Sequence, residues 1–182
     1  VLSKYKLRRF SKSNYIEFIN CNRKAQYSYK DCDKPKLSYS ENFQQKRAYK
    51  AENLSKKLFL DIFDSVDFNS EIQSESPFTL YQPTIINKKE NLEVRLDMIR
   101  KDNNSKYHTY EHKSATKIKK EYIYDIAFQK YVLNTCGIDT DTNNLILFNA
   151  DYSREGNIDV NKLFKIINVT DDSFSGDGIL HS

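Results

Sequence analysis

The chain has 182 residues, enough for one ordinary domain, and 38% of them are hydrophobic, so it can bury a core. Charged residues make up 30%, and no apolar run reaches the roughly 18 residues of a membrane span, which excludes an integral membrane protein. Four glycines and three prolines exclude a collagen-like chain, and the formal net charge of +4 permits an anionic partner without requiring one.

The first elements expected along the chain are two helices. One begins at a cap at positions 13–14, with Asn14 and Glu17 in capping-box spacing, and its apolar stripe continues to about Tyr29. A break is expected over residues 31–37. The second helix begins at Ser38, which has Glu41 three residues later, and carries apolar residues at steps of three or four. Residues 65–77 are polar and are predicted to form a loop.

The hydrophobic period then changes to two, which is typical of strands. Residues 78–86 have strand composition, and residues 88–91 predict a turn. Over residues 92–99, apolar side chains at 92, 94, 96 and 98 alternate with Glu93, Arg95, Asp97 and Ile99, the strongest strand signal in the sequence. A second turn at 102–105 leads to a third strand at 107–114.

A helix and two further strands complete the prediction. The helix covers residues 121–136, is apolar on most sides, and ends at Gly137 as its C-cap. Strands are expected at 145–150 and 163–169, and the last dozen residues are expected to be loose. This order of elements predicts an α/β fold with a sheet covered by helices on both faces.

The three cysteines, Cys21, Cys32 and Cys136, indicate the redox environment. Their number is odd, their spacing is wide, and no C-x-x-C pair occurs. A zinc or iron–sulfur site normally needs four ligands at tighter spacing. We therefore expect reduced thiols in a cytoplasmic protein.

Charged side chains converge on one face of the predicted strand pair. A three-residue loop at 103–105 would place Asp97 opposite Glu111, and Lys113 shares the face of Glu111 because residues two apart on a strand point the same way. Two close carboxylates suit Mg²⁺ or Mn²⁺, and a neighbouring lysine can orient a water or stabilise charge on a phosphate. The alternative is a solvent-facing hairpin with surface ion pairs, and a two-residue loop would spoil the register.

Three segments resemble the core of a known nuclease superfamily. They are RLDMI at 95–99, YEHKSAT at 110–116 and YDIAFQKYVL at 124–133. Together they resemble the PD-(D/E)XK nucleases, and more narrowly the RecB-type branch, while FSKS at 10–13 is similar to the opening of RecB-type nuclease-like bacterial proteins. The resemblance implies a restriction-endonuclease-like central mixed β-sheet flanked by helices. It also implies one domain over 1–182, as a fragment of a longer protein with room for further domains.

The resemblance also implies a metal site. Asp97 and Glu111 would be ligands of Mg²⁺ or Mn²⁺, with the His112 carbonyl as a further ligand. Glu52 on the second helix would complete the metal shell, and the alternative for Glu52 is an exposed helix residue. The side chains of His108 and His112 alternate with Glu111 and are expected on the opposite face. Relatives that hold an iron–sulfur cluster have cysteines that this chain lacks, so no such cluster is expected.

The same resemblance assigns catalytic roles to Lys113 and Gln129. Lys113 would assist the attacking water, and Gln129 would position that lysine or the DNA end. The Tyr that usually lies one helical turn after the Gln is replaced by Leu133, and the nearest tyrosine is Tyr131. For Gln129 the plain alternative is a polar residue in a mostly buried helix.

A short basic run follows the third strand. Lys117, Lys119 and Lys120 lie before the helix, where they would bind backbone phosphates. We place Tyr131 with them as a nucleic-acid-binding residue. The alternative for the lysines is a solvated turn.

These interpretations combine into one function with two alternatives. The expected function is a Mg²⁺- or Mn²⁺-dependent nuclease that hydrolyses DNA phosphodiester bonds, with nucleic acid as its partner and no membrane association. One alternative is a non-catalytic nucleic-acid-binding module of the same fold, which would need no divalent cation. The other is a plain interaction domain of a larger protein.

Overall fold

The computed structural model of the chain describes residues 9–29, 38–60, 62–64 and 76–171. The break expected at 31–37, most of the loop expected at 65–77, the tail after Asp171 and Cys32 lie outside these residues. Among the described residues, no helix has both the length and the apolar character needed to cross a membrane.

The first predicted helix is two helices, α1 (Lys12–Asn20) and α2 (Asn22–Tyr29), which are separated by Cys21 in an extended conformation. The cap predicted at 13–14 is wrong by two residues, because Ser11 is the N-cap. The Ser11 hydroxyl accepts a hydrogen bond from the Asn14 amide N–H at 3.4 Å, and the Asn14 side chain accepts one from the Ser11 amide N–H at 3.1 Å. Asn14 thus takes the part that Glu or Gln usually takes in a capping box.

The second predicted helix is confirmed as α3 (Tyr39–Ser55). Ser38 is its N-cap, and the predicted capping box with Glu41 is present in both directions. A single 3₁₀ turn, Lys56–Leu58, extends the helix toward the sheet.

The structure contains two mixed sheets. A six-stranded sheet has the order β2-β3-β6-β7-β8-β9, and a three-stranded sheet has the order β1-β5-β4. Within the large sheet, the pairs β2–β3 and β7–β8 are parallel and the other pairs are antiparallel. The strands are β1 (Phe10–Ser11), β2 (Ile62–Asp64), β3 (Phe78–Tyr81), β4 (Thr84–Asn87), β5 (Leu92–Arg95), β6 (Met98–Lys101), β7 (Tyr107–Lys113), β8 (Thr140–Phe148) and β9 (Phe164–Asn168).

Two strands predicted as single are each divided between the two sheets: 78–86 forms β3 and β4, and 92–99 forms β5 and β6. A bend between β3 and β4 explains the division: Gln82 has φ 53, and Pro83 has no N–H to donate to the ladder. Two hydrogen bonds cross the bend, from the Gln82 amide to the Asp97 carbonyl at 2.8 Å and from the Leu96 amide to the Pro83 carbonyl at 3.0 Å. The bend places Asp97 at the junction of the two sheets.

The hairpin between β6 and β7 has the predicted three-residue loop. The Asp102 amide donates to the Lys106 carbonyl at 3.0 Å, and Ser105 has φ 61, the left-handed conformation that such loops use. The ladder pairs Met98 with Tyr110. Its register, continued by one residue, sets Asp97 against Glu111, as predicted.

Of the remaining elements, the helix and the last strand lie within one residue of their predicted bounds, whereas β8 begins at Thr140, five residues before its predicted start at 145. Helix α4 (Lys120–Thr135) connects the parallel strands β7 and β8, and Gly137 follows it with φ 79. A short helix that was not predicted, α5 (Val160–Leu163), precedes β9.

Helices cover both faces of the large sheet, as predicted. On one face, α4 packs against the sheet and α1 packs on α4 and on β1 and β5, which buries residues including Leu80, Ile99, Ile126, Val132 and Leu145. On the other face, the end of α3 and α5 pack with Tyr81, Met98, Ile146 and Phe164. We refer to these as the α4 face and the α3 face.

Candidate active site

The two predicted carboxylates meet where β6 begins. Asp97 lies directly before β6, and Glu111 lies in β7 with 2% of its surface exposed. The backbone N–H of His112 donates to Asp97 Oδ2 at 2.8 Å and so fixes that side chain beside β7. The structure therefore brings Asp97 and Glu111 together from adjacent strands.

Glu111 is the centre of a buried cluster of charged and polar groups. Its Oε1 accepts hydrogen bonds from Lys12 Nζ at 2.7 Å and from Lys113 Nζ at 2.9 Å. Its Oε2 accepts one from Gln129 Nε2 at 2.6 Å. Both carboxylate oxygens thus have charged or polar donors, which a buried carboxylate requires.

Helix α4 supplies a second acid to this cluster. Asp125 lies one turn before Gln129, so both side chains project from the same side of the helix onto the α4 face. Asp125 Oδ2 accepts a short hydrogen bond from Lys113 Nζ, and Lys113 therefore bridges Glu111 and Asp125. Asp125 therefore holds Lys113, and Gln129 holds Glu111. The role expected for Gln129 from the sequence was different, namely to position Lys113 or the DNA end.

The two carboxylates of the strand pair have opposite pKa shifts. Burial alone would raise the pKa of Glu111, but the positive charges of Lys12 and Lys113 outweigh it and lower that pKa to about 2. Burial, together with the negative charge of Glu111, raises the pKa of Asp97 well above its ordinary value. A further positive charge placed between the two carboxylates would therefore stabilise the ionised form of Asp97 more than that of Glu111.

Lys113 remains protonated in this environment. Burial disfavours its charge, but the carboxylates of Glu111 and Asp125 outweigh burial and raise the pKa of Lys113 above the ordinary lysine value. An ammonium group of this kind donates hydrogen bonds and stabilises negative charge, and it does not serve as a general base at neutral pH.

Glu52 approaches the site from the α3 side. Its Oε1 accepts a hydrogen bond from Gln82 Nε2 at 2.8 Å, and Gln82 Oε1 accepts a short one from Arg95. Its negative charge contributes to the raised pKa of Asp97. Glu52 is partly buried, so the alternative of an exposed helix glutamate is wrong.

The two histidines of β7 lie on the α3 face, as predicted. The His112 ring packs edge-on against Phe148 and Phe164 at centroid distances of 6.0 and 5.6 Å. Burial lowers the pKa of His112 to about 4, so its imidazole is neutral at physiological pH. His108 contacts Thr142 and Asp102 at 2.9 and 3.3 Å, which indicates a structural role.

The predicted nucleic-acid-binding residues lie outside the buried cluster. Lys117 and Lys119 are exposed on the connection from β7 to α4, and Lys120 is exposed as the first residue of α4. Tyr131 is exposed on α4, and its hydroxyl donates to Glu90 Oε2 at 3.1 Å, in the turn of the three-stranded sheet. Tyr131 is thus joined to that turn, while the three lysines follow directly from the strand that carries Glu111.

Sequence reasoning missed two members of the cluster, Lys12 and Asp125. Asp125 had a usable signal, because it lies four residues before Gln129 in a helix that is otherwise mostly apolar. Lys12 lies in the 10–13 segment that resembles RecB-type openings, but nothing marked it as a partner of Glu111, which is 99 residues away, and the first helix was predicted to begin after it.

The donor set fits a divalent cation with few protein ligands. Among the described residues, no group of three His, Cys, Asp or Glu side chains is arranged to hold a metal ion. Mg²⁺ commonly uses only one or two carboxylates and fills its remaining positions with water and substrate phosphate. Asp97 and Glu111 would supply those two carboxylates, and burial and the charge of Glu111 disfavour the ionised form of Asp97 and raise its pKa.

No family model matches the chain, and no curated protein matches it either. The resemblance to PD-(D/E)XK nucleases therefore rests on the residues of the three segments at 95–99, 110–116 and 124–133.

Proposed function

We propose that the protein is a Mg²⁺- or Mn²⁺-dependent nuclease of restriction-endonuclease-like fold that hydrolyses phosphodiester bonds of DNA. The observation that carries the proposal is the convergence of Asp97, Glu111 and Lys113 on the α4 face, where two carboxylates and an ammonium group share a mostly buried site. The order of these residues in the chain, with Gln129 on the following helix, supports it through the resemblance to RecB-type nucleases.

Each residue has a role that follows from its contacts. Asp97 and Glu111 would hold the cation, with the His112 carbonyl as a further ligand and Glu52 near enough to affect the charge of Asp97. Lys113, protonated and held by Asp125, would donate a hydrogen bond to the attacking water or to a phosphate oxygen. A divalent cation bound there supplies charge stabilisation at the phosphorus and a more acidic water.

The substrate is expected to approach along the connection from β7 to α4. Lys117, Lys119 and Lys120 follow the strand that carries Glu111 and Lys113, and all three are exposed. Lysines at such a position attract backbone phosphates without reading sequence. We propose Tyr131 as a peripheral contact only, because its hydroxyl is engaged by Glu90.

A second candidate function is favoured by the saturation of Glu111. Its two oxygens already have three donors, Lys12, Lys113 and Gln129, which suits a structural ion network in a binding module without turnover. Such a module would bind DNA in a salt-dependent way and would need no divalent cation.

A cleavage assay separates these candidates. Labelled single- and double-stranded DNA is incubated with the protein in Mn²⁺, in Mg²⁺ and in EDTA. We expect cleavage with either metal, none in EDTA, and none from the Lys113→Met variant. Lys106→Met is the matched control, because Lys106 forms an exposed ion pair with Asp141 and lies directly before the same strand.

Cleavage that persists in EDTA or in Lys113→Met would overturn the proposal. Salt-dependent DNA binding without any cleavage, unchanged by Mn²⁺, would favour the binding module.

A further inference from the structure

Lys12 is built into the site by the N-terminal segment. It is the first residue of α1 and follows β1, which pairs in parallel with β5. On either side of it, Phe10 and Tyr15 pack against Phe128 at centroid distances of 6.0 and 5.0 Å. These contacts fix the backbone of Lys12 beside helix α4 and direct its side chain to Glu111.

The two lysines of the cluster are held unequally. Lys113 contacts both Glu111 and Asp125, whereas Glu111 is the partner of Lys12 among the described residues. Both ammonium groups contact the same atom, Glu111 Oε1, and their like charges repel each other. The Lys12 side chain is 22% exposed, so part of it already contacts solvent.

A divalent cation on Glu111 would meet Lys12 directly. The cation would need an oxygen of Glu111 and would place two further positive charges next to the ammonium group. Lys113 would keep its bond to Asp125, whereas Lys12 would lose its direct contact and keep only the longer-range attraction of Asp125 and Asp97. A lysine side chain is long and flexible, so Lys12 can turn to another anion. The anion that arrives with the cation is a phosphate of the substrate.

We propose that Lys12 is an exchangeable cation: it occupies Glu111 in the metal-free protein, leaves when a divalent cation binds, and then pairs with a phosphate of the nucleic acid. This inference rests on the proposed function, because it takes Glu111 as a metal ligand. It assigns the N-terminal helix a part in substrate binding and makes metal binding and substrate binding cooperate.

The first test is the affinity for Mn²⁺ alone, measured by titration calorimetry. Lys12→Met removes the competitor, so we expect it to bind Mn²⁺ at least about fivefold more tightly than the wild type, the lower range of typical coupling between sites. Lys24→Met is the matched control, since Lys24 is exposed on α2, and Lys12→Arg keeps the positive charge. Both are expected to match the wild type. Should Lys12→Met not fold, Lys12→Gln replaces it.

The second test is DNA binding in Ca²⁺, measured as a function of salt. Lys12→Met is expected to bind more weakly than Lys24→Met, and the slope of log K against log salt is expected to fall by about 0.7 to 0.9, the value for one lost phosphate contact. Tighter Mn²⁺ binding together with weaker DNA binding supports the exchange.

Failure of this inference is distinguishable from failure of the proposed function. If the wild type binds Mn²⁺ and Lys12→Met binds it no more tightly, the exchange is overturned and the nuclease proposal stands. If only Lys12→Met binds Mn²⁺ in the absence of DNA, the competition is supported, and the cleavage assay on the wild type decides the nuclease proposal by itself. If neither binds Mn²⁺, both are overturned.

Discussion

Strand β7 carries ionisable side chains on both faces, with a charged pair on one face and a neutral histidine on the other. On the α4 face, Glu111 and Lys113 remain charged, because each lies against groups of opposite charge. On the α3 face, His112 is packed against two phenylalanines and is neutral, because burial lowers its pKa to about 4. In β7, Glu111 and Lys113 on the α4 face keep their charge and His112 on the α3 face does not, and we place the chemistry on the α4 face.

Charges kept in a protein interior need a reason, because apolar side chains of similar size usually serve stability as well or better. The cluster holds two lysines, Lys12 and Lys113, among the carboxylates of Asp97, Glu111 and Asp125. The raised pKa of Asp97 shows that the compensation is incomplete at that residue. We propose that a divalent cation supplies the missing positive charge beside Asp97, directly before β6.

The largest expected effect is the loss of cleavage in Asp97→Asn. The amide keeps the shape of the side chain and can still accept the His112 N–H, but it loses the charge that would hold the cation. We expect cleavage to fall at least about a hundredfold. Because the raised pKa means that the ionised Asp97 is disfavoured in the folded protein, the urea midpoint at neutral pH should stay unchanged or rise.

A fall in the urea midpoint of Asp97→Asn, with cleavage retained, would show that Asp97 is a structural residue and would remove the contrast between its carboxylate and that of Glu111.

Glu111→Gln is expected to change stability in the opposite direction. The pKa of about 2 means that the ionised form is favoured by folding, so its removal leaves two lysines without their shared partner. We expect a loss of about 3 kcal/mol, the scale for breaking a buried ion pair. The contribution of Glu111 is present above its unfolded pKa and is lost as pH falls through about 2.

Urea unfolding at neutral pH measures this loss directly. Asp141→Asn, in an exposed pair, is the control. Equal midpoints for Glu111→Gln and the wild type would mean that the lysines do not stabilise Glu111.

Asp125→Asn tests whether Lys113 is positioned from helix α4. The amide removes the charge that holds the Lys113 ammonium but leaves Glu111 and the catalytic groups in place. We expect kcat to fall about tenfold to a hundredfold, as is typical for a supporting residue, with KM for DNA little changed. Steady-state kinetics in Mn²⁺ measure both constants, and a change confined to KM would contradict the positioning role.

His112→Phe tests the uncharged face. In the unfolded chain His112 binds a proton below about pH 6.5, whereas in the folded protein it does so only near pH 4. The contribution of His112 to the free energy of unfolding is therefore fully present above pH 6.5, and it decreases as the pH falls from 6.5 toward 4. We expect His112→Phe to lose less stability than the wild type between pH 6.5 and 4, with cleavage retained.

Thermal unfolding across this pH range measures the difference. Parallel pH profiles for the two proteins would show that His112 does not titrate with the expected shift.

The smallest effect is expected for the exposed ion pair of Arg9 and Glu93, whose side chains are 42% and 36% exposed. Pairs of this kind typically contribute about 0 to 1 kcal/mol. Glu93→Gln should therefore change the urea midpoint little and leave cleavage unchanged. A large loss in either would mean that the difference in exposure does not explain why Glu111 matters more than Glu93.

The order of elements and the strand pairing could be predicted because local signals fix them. The capping box at Ser38, the three-residue loop before β7 and Gly137 each act over a few residues, and the loop alone set Asp97 against Glu111. The division of the strand at Leu96 could not be predicted, since it depends on Gln82 in the partner strand. Lys12 could not be predicted either, because nothing local marks a contact between residues so far apart.

The most direct test of the central claim is a calorimetric titration of Mn²⁺ into the wild type and into Asp97→Asn. The account predicts a saturable heat signal in the wild type that is absent in Asp97→Asn, while both proteins keep the same urea midpoint or the variant exceeds it. The same heat signal in both proteins, or none in either, would contradict the claim that Asp97 and Glu111 form a cation site.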